Sequence, residues 1–185
     1  MNFYEDTYYH LFNRTNNKES LFRSEENYIY FLKKYRFYLD DYIDTIGYCL
    51  MPTHFHFLIK VKSNRPEEDL NIINKKVGTV LNSYAQAYNK MWDRKGNLFN
   101  QKTKAKLVNS DKYIITLLTY IHQNPIRSNL VEKAEEWKFS SCKDYVDVRK
   151  GTLPSKELIL SMIKKEKIKE LTEQRIINSI EIDNK

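Results

Sequence analysis

Cysteine is nearly absent: the chain has two in 185 residues. Cys49 and Cys142 form no C-x-x-C pair and cannot staple a framework, which excludes a disulfide scaffold and fits a reducing compartment. A structural zinc module needs four closed ligands, and two thiols so placed do not supply them. Long apolar runs are missing too. None approaches the ~20 residues of a membrane helix, and Met1-Asn2-Phe3-Tyr4-Glu5 lacks the basic start and apolar stretch of a secretory signal. A cytoplasmic, nucleoid-associated protein with no membrane partner is the expectation. Internal repeats and low-complexity tracts are also lacking, so the chain reads as one ordinary domain, residues 1–150, followed by a charged helical extension, residues 151–185.

Aromatic residues and positive charge are what the chain does have. Fourteen Tyr and nine Phe give enough apolar surface to fold, and 31 Lys and Arg against 24 Asp and Glu leave a net charge of +7. That balance fits a nucleic-acid partner, and equally the composition of a Lys-, Ile- and Asn-rich genome.

The pattern of elements reads βαββαβα. Thr7 to Arg14 alternates as a strand and ends at the turn-forming Asn13-Arg14-Thr15-Asn16-Asn17. Ser24 with Glu25 and Glu26 opens a helix through Tyr28, Phe31, Leu32, Tyr35 and Leu39. Asp44 to Met51 and His54 to Val61 form a hairpin across Pro52-Thr53. Pro66 starts a long helix that stops before Gly96, and Lys102 to Val108 is the fourth strand. Ser110 caps a last helix that Pro125 is expected to close. Antiparallel strands with two crossover helices predict an α+β, ferredoxin-like sandwich, with helices on one face of the sheet and the other face left for chemistry. Beyond Trp137 the pattern is weak, with a charged amphipathic stretch from Ser155 to Ile177.

Within His54-Phe55-His56-Phe57-Leu58-Ile59-Lys60-Val61, alternate side chains lie on opposite faces. Phe55, Phe57, Ile59 and Val61 make a wholly apolar row, so that row faces the core. His54 and His56 then share the other face about 6.6 Å apart, given ~3.3 Å per residue, close enough for two imidazoles to meet one ion. Two of the four histidines beside a proline turn are hard to justify by packing, although H-x-H alone is a weak signature. On the last helix a 100° step puts Tyr113, Leu117, Tyr120 and Asn124 on one stripe, with Tyr120 on the flank of the packing face. Nothing in the pattern alone singles out Tyr120 among the tyrosines, and Asn124 before a proline is already a good helix-end residue.

The set Met51-Pro52-Thr53-His54-Phe55-His56, Gly96-Asn97-Leu98-Phe99 and Tyr120-Ile121-His122-Gln123-Asn124-Pro125-Ile126-Arg127 resembles the single-tyrosine HUH transposases. The likeness is nearer to the REP-associated tyrosine transposase branch of that insertion-sequence-200-like family. Tyr9-His10 with Asn13 to Asn17, and Trp137-Lys138-Phe139-Ser140-Ser141 with Tyr145, extend it over about residues 7 to 146. The resemblance implies that Tyr120 is the nucleophile and that His54 and His56 bind a divalent ion, Mg²⁺ or Mn²⁺. Asn124 would be the third ligand where insertion-element relatives use glutamine. It also implies single-stranded or hairpin DNA as partner, a 5′-phosphotyrosine intermediate, no use of ATP, and action as a monomer, with the dimer of insertion-element relatives as the alternative. A phenol, with an ordinary pKa of ~10, needs nearby positive charge to attack a phosphodiester.

Lys102, Lys104 and Lys106 alternate along the fourth strand as a phosphate rail or as guards of an edge. Arg14, Lys60, Arg65 and Arg127 are further phosphate candidates, and His10 is placed to face the site from the first strand. A non-catalytic single-strand binder of the same fold is the alternative.

Overall fold

The alternating run from His54 to Val61 becomes a central strand of a four-stranded antiparallel sheet in the computed structural model, which describes residues 2–63, 67–100 and 102–174. The strands are β1 (Tyr8–Arg14), β2 (Ile43–Met51), β3 (His54–Val61) and β4 (Lys104–Val108), in spatial order β2-β3-β1-β4. That is the order of a ferredoxin-like sheet. Helices α1 (Glu25–Leu39) and α2 (Glu67–Met91) cross over between strands and pack on one face.

Phe55, Phe57, Ile59 and Val61 are buried against Phe31, Tyr35, Tyr84 and their neighbours, as their alternation requires. The rings of Tyr35 and Phe57 stack at 4.1 Å. Ser24 caps α1 in a capping box with Asn27, satisfying backbone donors that the first turn cannot pair internally.

The second face differs from the sequence-based expectation. It is not left open, because helix α3 (Asp111–Arg127) lies across its β2–β3 half, burying Leu117, Leu118 and Ile121 on Ile46, Cys49, Met51 and Leu58. Gly47 permits that approach: a Cβ there would stand 2.3 Å from Cδ1 of Leu118. Pro125 does not close the helix either, since α3 runs on to Arg127. A proline costs a hydrogen bond to the carbonyl four residues back, and the Asn124 side chain partly replaces it, Nδ2 donating to the carbonyls of Tyr120 at 3.1 Å and Ile121 at 3.5 Å.

The segment after Trp137 has no readable period because its order comes from strand edges. Leu50 N donates to Phe139 O at 2.9 Å and Ser141 N to Tyr48 O at 2.9 Å, so this segment covers the outer edge of β2. A short helix, α4 (Cys142–Tyr145), follows, and the buried Asp144 carboxylate pairs with Arg149. The described part of the stretch expected as an amphipathic helix, up to residue 174, forms two, α5 (Glu157–Met162) and α6 (Lys165–Glu173), whose Ile159 and Ile168 bury against the α3 side of the molecule, and residues 175–185 lie outside the described residues. Both cysteines are free and buried, and burial raises both thiols. Among the described residues no helix is long and apolar enough to cross a membrane.

Candidate active site

The two histidines stand at the end of a hairpin that is tied down on both sides. Pro52 O accepts from Leu21 N at 2.6 Å and Phe22 N at 3.3 Å, and Thr53 O accepts from Thr15 N at 2.9 Å. Strand register then sets their neighbours: Arg14 lies opposite His54, and Phe12 lies opposite His56 on one side and Lys104 on the other. His54 Nδ1 meets Thr53 Oγ1 at 3.0 Å, and His56 Nδ1 meets His10 Nε2 at 2.9 Å. With both Nδ1 atoms engaged, Nε2 is the nitrogen each ring keeps for a ligand. The His10 and Phe12 rings stack at 4.5 Å, fixing the orientation further.

Helix α3 brings Tyr120 to this pair. Its ring lies 5.8 Å from that of His56 and 6.4 Å from that of His10, edge-on to both. Asn124, one turn along, is buried, and because its Nδ2 is used on the helix carbonyls, Oδ1 is the atom it has for a ligand. The Arg127 guanidinium stands 4.6 Å from the Tyr120 ring centroid.

Burial holds the imidazoles neutral. It pushes His54 down to about 4, assisted by Arg127 and Arg14, and pushes His56 well below its ordinary value, assisted by His10, His54 and Arg127. Both rings thus offer lone pairs at neutral pH. Beside them opens a cleft of about 610 Å³ whose walls include Phe12, Arg14, His54, His56, Lys102 and Lys104. Tyr120 and Asn124 are not in its walls; Tyr120 approaches the histidines from the α3 side. Lys106 lies opposite His10, on the same face of the sheet. Lys60 is at the far end of β3, where it pairs with Asp6 at 2.5 Å, away from the cleft. Arg65 lies outside the described residues.

Comparison with known proteins decides the family. The family described as "Transposase IS200 like" matches residues 3–124. The chain belongs to the IS200-like transposase family. It is also 26% identical over 102 residues to a protein of Haemophilus influenzae named as a REP-associated tyrosine transposase, a match covering 53% of the chain and 58% of that relative. The chain therefore spans a little over half of that curated relative. Its fold is similar to the solved structure of a REP-associated tyrosine transposase bound to a REP hairpin, with a TM-score of 0.61 at 13% identity, over 76% of this chain and 79% of the other.

The donor set of this IS200-like transposase fits a divalent ion on one condition. Among the described residues no group of three His, Cys, Asp or Glu side chains could hold a metal. Two neutral imidazoles must therefore be completed by an amide oxygen, water or phosphate oxygens, a donor mix that suits Mn²⁺ and Mg²⁺. His54 and His56 carry the two imidazoles, and Asn124 carries an amide oxygen.

Sequence reasoning gave His10 no definite role and missed Phe12. His10 pairs with a residue 46 positions away, and only the β1–β3 register reveals that. Alternation from Tyr8 to Arg14 puts His10 and Phe12 on one face, a signal that names the face without naming the partner.

Proposed function

We propose that this chain cuts single-stranded DNA at hairpin-forming sequences and rejoins it, with Tyr120 as nucleophile. The observation that carries the reading is the approach of the Tyr120 ring to the His56 ring, 5.8 Å, with the Arg127 guanidinium on the phenol's flank, all within one chain. The family, and a fold similar to a transposase solved with a REP hairpin, support DNA hairpins as the substrate class.

In the proposed reaction the Tyr120 hydroxyl gives up its proton to solvent and its oxygen attacks a backbone phosphorus. The bond from phosphorus to the 3′-oxygen breaks, a phosphotyrosine forms on the 5′ end, and the departing 3′-oxygen takes up a proton. Attack by a 3′-hydroxyl reverses these changes, so the bond energy is kept and no ATP is consumed. Arg127, over the Tyr120 ring, brings a positive charge beside the attacked phosphate. Arg14, Lys102 and Lys104 hold the strand by its phosphates, and Lys106 extends that surface along β4. His54, His56 and Asn124 would hold Mg²⁺ or Mn²⁺, which supplies positive charge to the oxygens of the attacked phosphate. For that role His56 must keep its proton on Nδ1, donating to His10 Nε2. The nearness of nucleophile and histidines in one chain supports action as a monomer.

The test is incubation of the protein with a hairpin oligonucleotide carrying single-stranded flanks and Mn²⁺, followed by denaturing electrophoresis. A covalent protein–DNA adduct is expected, and Tyr120→Phe abolishes it. Binding without an adduct under these conditions overturns the cleavage reading in favour of a non-catalytic single-strand binder.

A further inference from the structure

Helix α1 has apolar residues on both of its sides, and its place on the sheet explains one side only. Tyr28, Phe31, Tyr35 and Leu39 face inward and are buried. On the opposite side Glu26, Tyr30, Lys33 and Phe37 follow one another at steps of four, three and four residues, the spacing of a seam along which a second helix packs lengthwise. Ile29 flanks that seam, and Phe37 is 77% exposed.

The end of α2 joins the same face. Asn27 Nδ2 donates to Met91 Sδ at 3.5 Å, and the Arg23 guanidinium stands 5.4 Å from the Trp92 ring. Ile29, Tyr30, Phe37, Met91 and Trp92 are thus five of the ten large apolar side chains exposed among the described residues, gathered on one face rather than scattered. They border a groove of about 420 Å³ whose walls include Glu26, Ile29, Tyr30, Lys33 and Met91. Nearby charges are matched within the chain, Glu25 with Lys138 and Arg36 with Asp40. Neither Glu26 nor Lys33 has an ion-pair partner among the described residues, although they stand two turns apart on the rim of one apolar groove.

We infer that this face binds a second copy of the chain, α1 packing antiparallel on α1 about a two-fold axis that passes between Ile29 and Tyr30. The pattern is its own complement. Reversal about that point sets Glu26 opposite Lys33 of the second copy and Lys33 opposite its Glu26, so two ion pairs close the ends of a contact whose middle is Ile29 and Tyr30 from both copies. The same operation brings Phe37 to the level of Trp92 of the second copy, apolar against apolar. An unrelated helix would need this order of charges reversed, whereas the chain already carries it. The active site stays outside the contact: α1 and α2 cover one face of the sheet, and His54, His56 and Tyr120 lie on the other. Each copy therefore keeps a complete site facing away from the pair, catalysis stays within one chain, and the inference does not rest on the DNA-cutting reading.

The test is analytical ultracentrifugation of the full chain at low ionic strength over a wide range of protein concentration. Wild type is expected to pass from 22.3 kDa towards twice that mass as concentration rises. By symmetry Glu26→Lys and Lys33→Glu each place like charges together at two points of the contact, and each should weaken association about 10-fold or more. The two changes combined exchange the charges and restore association. Both positions are exposed, so denaturation midpoints stay near that of wild type, which separates loss of association from loss of the fold. A chain that stays at 22.3 kDa throughout overturns the inference and leaves the face to a different protein. A dimer indifferent to the single reversals overturns this face as its seat, and a combined variant that associates no better than the single ones overturns the antiparallel pairing.

Discussion

The two faces of the sheet solve different problems with the same strands. Under α1 and α2, Phe55, Phe57, Ile59 and Val61 fill a continuous apolar layer in which each residue is defined by its size. On the other face α3 covers only the β2–β3 half, and at its margin His10, His56 and Asn124 are buried as polar groups with specific partners. The first face explains why the chain folds. The second explains why a tyrosine, two imidazoles and a guanidinium are held together at some cost in desolvation. Stability and chemistry are thereby separated across the thickness of one sheet.

That separation can be broken by substitution. Phe57→Ala removes a ring with no exposure from the first face and should cost about 3–5 kcal/mol in chemical denaturation. Adduct formation per folded molecule stays unchanged; an equal loss of both would show that the faces are coupled. His10→Ala takes away the partner of His56 Nδ1 and should lower adduct formation about 10–100-fold with Mn²⁺ present, with little change in the denaturation midpoint. Gly47→Ala forces Leu118 aside under α3 and should cost about 1–3 kcal/mol. Because α3 carries Tyr120, this change also slows adduct formation, and full activity would show that the helix position is not critical.

Acid pH tests both faces together. An unfolded chain takes up protons at its histidines as the pH falls below about 6.5. The folded chain keeps His54 neutral down to about 4 and His122 down to about 3, chiefly through burial. Protons therefore favour the unfolded state across that window. Stability should be level above about pH 6.5 and fall on acidification, by up to about 1.4 kcal/mol per pH unit for each such histidine. Denaturation midpoints measured from pH 7 to 4 check this, and a midpoint that rises on acidification contradicts it.

Period-two and helical patterns made the first face legible, because the row from Phe55 to Val61 and the stripe through Phe31 and Tyr35 each have one consistent place to go. His54 and His56 were legible as the residues that this row turns outward. Tyr120 was not, being one of fourteen tyrosines, and it stood out only through the motifs around it. Nor was the burial of α3, which is enclosed on most of its circumference from Tyr113 to Pro125 rather than along one stripe. Its second cover, α4 to α6, comes from a stretch whose order depends on edges and caps that lack periodicity. His122, two residues on from Tyr120, is fully buried and bonds Ser141 Oγ at 2.9 Å, fastening α3 to the segment that covers β2.

Gln123, next to Asn124, has no exposure and donates from Nε2 to the carbonyls of Leu171 at 3.2 Å and Thr172 at 3.3 Å, at the end of α6. The helix bearing Tyr120 is thus latched by α6 of the same chain, and lending it to another copy would mean undoing that latch first. Under the proposed chemistry, a molecule working alone has one Tyr120 and carries one severed end at a time. Excising a segment with two boundaries then demands two successive turnovers, with the first junction sealed or handed on before the second can open.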